Sequence, residues 1–370
     1  MIVKFILVDM MRLIFTLVLL FLINTGSAQS HLCLQKDQGT GHINFRPDEL
    51  NRFFHLDNYK VVFFGEQHNT VFDPEIKYHL ITELYRRSGI RHVFMETSVS
   101  RAWHYNQYLK SGDTAHVYVS AAPQALNGYI AFWKRLYEFN KGLPEGSKIM
   151  IHGVDFETTA VFQTLKQLAM PGRAVPISLQ PMMDTVNAHL SDKPLHMWDV
   201  IDNKFILYDN SGFTQTLRIV QKQLLDHDDD VKAYFGDNYP VVHDIAINSG
   251  KVEVKAKNRN KTMFAAMERA IEENNIDRFV GFFGNRHTDY SVHNSLPNAV
   301  KKVKGINRKD ILTIAEFAYN VKSKDTAFRP KHYQEIVDMN KDCRASVYPS
   351  NAVPRFSNES DFVVIVNIAE

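Results

Sequence analysis

Four apolar runs in this sequence are each followed directly by residues that can move protons or carry charge. VVFF at 61–64 leads into Gly65, Glu66, Gln67 and His68; HVFM at 92–95 into Glu96 and Thr97; KIMI at 148–151 into His152, Gly153, Val154 and Asp155; and RFVGFF at 278–283 into Gly284, Asn285, Arg286 and His287. Two residues apart in an extended segment, Glu66 and His68 point to the same side, so the carboxylate can orient the ring or raise its basicity. A histidine titrating near neutrality can take a proton from water or a substrate hydroxyl, which is worth about 10²–10⁴-fold in rate. His287 supplies a second imidazole for a developing oxyanion or a leaving group, and Glu96 and Asp155 suit the fixing of ring tautomers, as the third member of a catalytic triad does. Plainer roles exist for some of these residues: Asp155 equally suits a helix cap, and His152 a core histidine with its hydrogen bonds satisfied.

Other chemistries have weaker footing. Glu66, His68, Glu96 and His287 are competent metal ligands, and a two-histidine, carboxylate set can hold a divalent ion. No compact H-x-x-x-H or H-E-x-x-H pair occurs, however, and the ligands are spread over three separate strand ends. The expectation is a site with no metal and no cofactor, with a divalent metal or haem left open as the alternative. A covalent serine mechanism lacks its G-x-S-x-G elbow.

The apolar runs themselves set the architecture. Together with ILTIAEF at 311–317 and FVVIVNI at 362–368, they are short, continuous and rich in Val, Ile and Phe, with amphipathic stretches between them. That is the signature of strands buried on both faces, so the expected class is α/β: a mainly parallel central sheet flanked by helices. In such sheets ligands bind beyond the carboxyl ends of the strands, where the polar residues above collect. A helix is expected from Asp73 as N-cap and Pro74 at N1 through to Gly89, and another over 127–140, where Trp133 belongs to the apolar stripe. From about 171 to 257 the pattern reads as helices alone, a helical insertion or cap on a single catalytic domain spanning 29–370. Its acidic run Asp226, Asp228, Asp229 and Asp230 lacks the glycine and glutamate of a calcium loop and reads as a solvated inter-helix turn.

Arg12, the apolar run at 13–23 and small residues ending at Ala28 have the layout of a secretory signal peptide over 1–28. The run is too short for a comfortable membrane span. A periplasmic or secreted location is expected, with no stable span after cleavage. Cys33 and Cys343, the two cysteines of the chain, would then be free to pair in an oxidising compartment. With 43 basic and 41 acidic residues dispersed along 370, nothing marks a nucleic-acid surface. The expected partner is a small-molecule substrate.

At these residues the chain resembles the erythromycin-esterase-like superfamily. VVFFGEQHNT is similar to that family's strand and G-E-x-H motif, and RHVFME to its following strand and glutamate, here Glu96. Residues 133–157 resemble its helix ending in Asn, here Asn140, and a strand ending in G-x-D, here Gly153 and Asp155. Residues 258–287 resemble its arginine-led helix and next strand, with Arg259 and His287 at family positions. The resemblance implies metal-independent ester hydrolysis with His68 activating water, Glu66, Glu96, Arg259 and His287 shaping and charging the site, and Asp155, Asn285 and Arg286 available to substrate. Haem-binding iron-uptake proteins and TraB/Tiki-type metalloproteases carry similar strand-end motifs, so a haem- or metal-binding protein and a metal-dependent peptidase remain alternatives. The chain departs from the family in two places. Gly284-Asn285-Arg286-His287 stands where members have His-Asn-Gly-His, so one imidazole is missing and a cation replaces glycine, which suits an anionic substrate; Asn69 stands where glycine is frequent.

Overall fold

The computed structural model describes residues 31–35, 47–67, 73–120, 126–158, 160–190, 198–201, 204–207, 211–249, 256–319, 333–353, 356 and 358–367. The segment 1–28 expected as a signal peptide, together with His68 and Asn69, lies outside these residues. Among those described, no helix is long and apolar enough to cross a membrane.

The strands are β1 (Leu32–Leu34), β2 (Val61–Glu66), β3 (His92–Ser98), β4 (Met150–Asp155), β5 (Trp198–Ile201), β6 (Lys204–Leu207), β7 (Phe279–Gly284), β8 (Ile311–Tyr319), β9 (Ala345–Pro349) and β10 (Phe362–Asn367). Eight of them form one sheet in the order β1-β9-β10-β8-β2-β7-β3-β4. From β10 to β4 every pairing is parallel, whereas β9 and β1 add an antiparallel edge. The α/β class and mainly parallel sheet expected from the apolar runs are therefore present. Each of the six runs became a strand.

The helices are α1 (Pro47–Phe54), α2 (Asp73–Ser88), α3 (Val99–Ser111), α4 (Ala115–Ser120), α5 (Leu126–Lys141), α6 (Ala160–Leu168), α7 (Gln180–Ala188), α8 (Ser211–Asp226), α9 (Asp228–Phe235), α10 (Tyr239–Ser249), α11 (Ala256–Glu273), α12 (Asn285–Thr288), α13 (Leu296–Val300) and α14 (Tyr333–Met339). β2 shows why this sequence makes a central strand. Its successive residues point to opposite faces, and each face has a core to enter: Val62 and Phe64 join one cluster with Leu80, Leu84 and Trp133, while Val61 and Phe63 join another with Met263 and Met267. Each such side chain, fully buried, contributes about 1.5–3 kcal/mol. Trp133 is a core residue, stacked on Tyr105 with centroids 4.1 Å apart.

Residues 160–249 carry a core of their own, in which Phe162, Leu165, Met182, Leu217, Phe235 and Ile245 are buried. Val99 and Trp103 of α3 pack against it, so this layer abuts the ends of β3 and β4. The expectation of helices alone over 171–257 needs correction, because β5 and β6 pair antiparallel as a separate two-stranded sheet. Each is four residues long, too short for periodicity to reveal. The acidic run closes α8 and opens α9, where Asp228 pairs with Lys232 one turn on. At the other edge of the sheet, Cys33 and Cys343 form a disulfide with Cα atoms 5.5 Å apart, fastening β1 to the chain entering β9.

Candidate active site

The carboxyl ends of β2, β3, β4 and β7 lie side by side, and β7 is the middle of the arrangement. Its last residue, Gly284, is in register with Glu66 of β2, and its backbone N–H donates to Glu96 Oε2 of β3 at 2.6 Å. One strand end thus separates two charged clusters.

The first cluster joins β3, β4, α11 and α12. The β3–β4 ladder shifts register between Met95 and Ser98, and a bulge of this kind turns side chains out of strict alternation. Glu96 lies in the shifted segment. Arg259 heads the stripe of α11 that buries Met263, Ala266 and Met267 one and two turns on, which aims it at the sheet. Its Nε donates to Asp155 Oδ1 at 3.1 Å and its Nη2 to Asp155 Oδ2, a two-point grip that a lysine could not reproduce. Nη2 also lies 2.7 Å from Glu96 Oε1. Burial opposes the charge on Arg259, but Asp155 and Glu96 more than offset it and hold the guanidinium above its ordinary range. The side chain keeps 22% of its exposure, so it can still meet a ligand.

His287 completes this cluster from α12. Asn260 Oδ1 faces its Nδ1, which assigns the ring proton to that nitrogen. Its Nε2 lies 3.4 Å from Glu96 Oε1 and becomes an ion-pair partner when the ring is protonated. Only a glycine at 65 lets α12 come this close: a Cβ there would stand 2.4 Å from Thr288 Oγ1 and 3.1 Å from the Asn285 Cα.

The second cluster lies between β2, β8 and α2. Glu66 Oε1 is 2.9 Å from Lys77 Nζ, and both side chains are almost sealed from solvent. Burial pulls the Lys77 ammonium down, yet Glu66 and Tyr129 outweigh it and keep it charged; Nζ also donates to the Tyr129 hydroxyl at 2.8 Å. Asp73 is fully buried beside this pair. Burial, then the charges of Glu316 and Glu66, raise its carboxyl well above the usual range. Asp73, expected as an N-cap, is instead the first residue of α2, and its side chain belongs to this buried cluster.

The structure therefore brings together Glu96, Asp155, Arg259 and His287, with Glu66 on the far side of Gly284. Asp155 binds Arg259 rather than capping a helix, while Glu157 accepts from Val99 N at 3.0 Å and from the Ser100 hydroxyl at the start of α3, beside the N-cap Ser98. Burial raises the Glu157 carboxyl to about 7 despite these bonds. Asn285 turns inward, donating to the Glu316 carbonyl at 2.7 Å, whereas Arg286 beside it is exposed. His152 lies away from this edge, 3.0 Å from His92 and stacked on Phe94. Asn140 is a brace: it receives the Ile149 N–H at 2.7 Å and donates to the Leu109 carbonyl. The sequence does not single out Lys77, Asn260 or Glu316, and it marks Asp73 only as a helix cap. Asp73 and Lys77 stand at i and i+4 on the same stripe as Leu80 and Leu84, and polar residues on a buried stripe are the signal that finds them.

No family model and no curated protein matches this sequence. Solved structures do match. A mutant of erythromycin esterase EreC in its open conformation aligns over 91% of this chain and 97% of its own, at 12% identity and a TM-score of 0.56. This chain shares its fold. A Bacillus cereus protein aligns over 91% of this chain and 95% of its own, with 12% identity and a TM-score of 0.55. A succinoglycan biosynthesis protein does so over 88% and 92%, with 11% identity and a TM-score of 0.57. The α/β architecture is thus shared with these three structures over nearly the whole chain.

Proposed function

We propose that the chain is an exported hydrolase that cleaves an ester or related acyl bond of a small-molecule substrate, using water activated by His68. The observation that carries this reading is the grip of Asp155 and Glu96 on Arg259 next to His287, on a fold shared with an erythromycin esterase. His68 follows Gln67 at the end of β2, the strand whose Glu66 is held by Lys77. In the proposed reaction His68 takes a proton from water as the oxygen attacks the acyl carbon. The carbonyl oxygen becomes an oxyanion, and Arg259, already fixed in orientation, stabilises that charge without reorganising. Collapse breaks the bond to the leaving oxygen, which receives a proton from His287 or from the protonated His68. Neither metal nor cofactor enters this scheme. Among the described residues no three His, Cys, Asp or Glu side chains are grouped to hold an ion. Arg286, exposed beside His287, favours substrates bearing an anionic group.

Export has separate support. The Cys33–Cys343 disulfide suits an oxidising compartment, in line with the signal-like segment that ends at Ala28.

The test is hydrolysis of p-nitrophenyl butyrate and of a panel of macrolactones and anionic esters by purified protein, with and without EDTA. Expected is turnover that EDTA leaves unchanged and that His68→Ala lowers by at least about 10²-fold. Turnover that persists in His68→Ala removes the proposed base. Turnover abolished by EDTA and restored by a divalent metal moves the reading to a metal-dependent peptidase or hydrolase.

A further inference from the structure

Glu157 lies just past Asp155, where the chain leaves β4 for the helical layer, and is 1% exposed. A carboxyl group so deeply buried carries a large desolvation cost unless donors surround it. The donors all come from the start of α3. Glu157 Oε1 accepts the Val99 N–H at 3.0 Å and the Ser100 N–H at 3.4 Å, and Oε2 accepts the Ser100 hydroxyl. N–H groups in the first turn of a helix have no partner within that helix, so a carboxylate suits them in charge as well as in hydrogen bonding. Ser100 Oγ also lies 3.1 Å from Ser98 Oγ, which as N-cap accepts the Arg101 N–H at 3.2 Å.

These bonds span the place where the β3–β4 ladder is irregular. Between the pairs Met95–Gly153 and Ser98–Asp155, β3 runs one residue longer than β4, and Glu96 lies in that surplus stretch. The bulge crosses directly over Gly153, where a Cβ would stand 2.1 Å from the Ser98 carbonyl oxygen and 2.9 Å from that of Thr97. Both carboxylates that hold Arg259 flank this crossing: Glu96 just before Ser98, and Asp155 just before Glu157. We infer that Glu157 is a positioning residue that clasps the start of α3 to the end of β4, fixes the separation of Glu96 and Asp155, and through them sets the orientation of the Arg259 guanidinium. The catalytic consequence rests on the hydrolase reading; the clasp does not. Without the clasp β3 and β4 part at the bulge, and Arg259 loses the simultaneous grip of its two partners. In the hydrolase reading Arg259 meets charge that develops only in the transition state, so the loss falls on kcat rather than KM.

The experiment uses the full disulfide-bonded chain and two readouts: solvent exchange of the Arg259 Nε–H, followed by NMR of nitrogen-labelled arginine and assigned with Arg259→Lys, and kcat and KM for p-nitrophenyl butyrate. Glu157→Met keeps an unbranched stem and removes the acceptor. In this variant the Arg259 Nε–H is expected to exchange about ten- to a hundredfold faster. The Ile151 amide, which donates to Asn106 Oδ1 at 2.9 Å farther back along β4, stays protected. The same variant is expected to lose kcat about tenfold or more with KM within about twofold of the wild type. Glu157→Gln restores both readouts, since its oxygen accepts from Val99 and Ser100 while its amide donates to Ser100 Oγ, whose own proton turns to Ser98. If Glu157→Met fails to fold, Ser100→Ala deletes the hydroxyl donor alone and is expected to shift both readouts in the same direction by about two- to fivefold. Unchanged Arg259 exchange, exchange that quickens equally at Ile151, failure of the glutamine to rescue, or wild-type kcat in a variant whose Arg259 has loosened overturns the inference. Absence of ester turnover in the wild type removes the hydrolase reading alone, since Arg259 exchange still decides the clasp.

Discussion

Lys77→Met isolates the charge balance at the end of β2. The substitution keeps the unbranched stem and removes the ammonium 2.9 Å from Glu66 Oε1. At that distance, with an effective dielectric of about 20, the attraction amounts to about 6 kcal/mol before desolvation is subtracted. Breaking a buried pair by deleting one partner costs about 3–5 kcal/mol, because the remaining charge stays buried without its counter-ion. Urea unfolding at pH 7 should therefore show a loss of about 3–5 kcal/mol. With the cation gone, burial raises the Glu66 carboxyl above its unfolded value. The folded variant then binds the extra proton, and the loss shrinks as pH falls towards 5. Adding Glu66→Gln removes the stranded charge, so the double variant should recover most of the loss. A penalty below about 1 kcal/mol, no dependence on pH, or additive effects in the double variant would refute the reasoning.

Other consequences follow from the same geometry. Gly65→Ala drives a methyl against Thr288 and the Asn285 backbone, displacing the helix that carries His287; a stability loss of about 1–3 kcal/mol and a larger fall in kcat/KM are expected, and an unperturbed variant contradicts the packing. His152 is held neutral, lowered to about 3 by burial and then by His92, so the unfolded chain binds the extra proton below about pH 6.5 and stability falls as pH drops. His152→Phe should make the decline shallower by about 1.4 kcal/mol per pH unit below pH 6, read by urea unfolding between pH 4.5 and 7. Cys33→Ser should lower stability by about 2–4 kcal/mol, and a reductant should do the same to the wild type alone; equal unfolding of oxidised and reduced wild type contradicts the staple.

The sequence made the sheet legible because its strands are buried on both faces and so read as continuous apolar runs, each ending where polar residues begin. Arg259 was legible only through a family resemblance, since nothing in a helix-leading arginine distinguishes it from a surface one. Its partners explain its position: Asp155 and Glu96 come from strands paired to each other across a bulge that no local pattern announces. Glu66 also pairs with Lys77, which the sequence conceals because lysines on amphipathic helices ordinarily face solvent. The β5–β6 pair and the short edge strands β1 and β9 fell below the length at which alternation carries information. The fold and the meeting of these strand ends thus follow from patterns along the chain, but the second layer of partners is set by pairings between elements distant in sequence.

The central claim is that these strand ends form one reaction centre rather than a set of buried ion pairs. It is tested most directly by kcat/KM for p-nitrophenyl butyrate in His68→Ala, His287→Ala and the double variant. Residues acting on one transition state are strongly non-additive, so the double variant should fall little below the worse single one. Losses that multiply, or singles that keep wild-type turnover, would contradict the account.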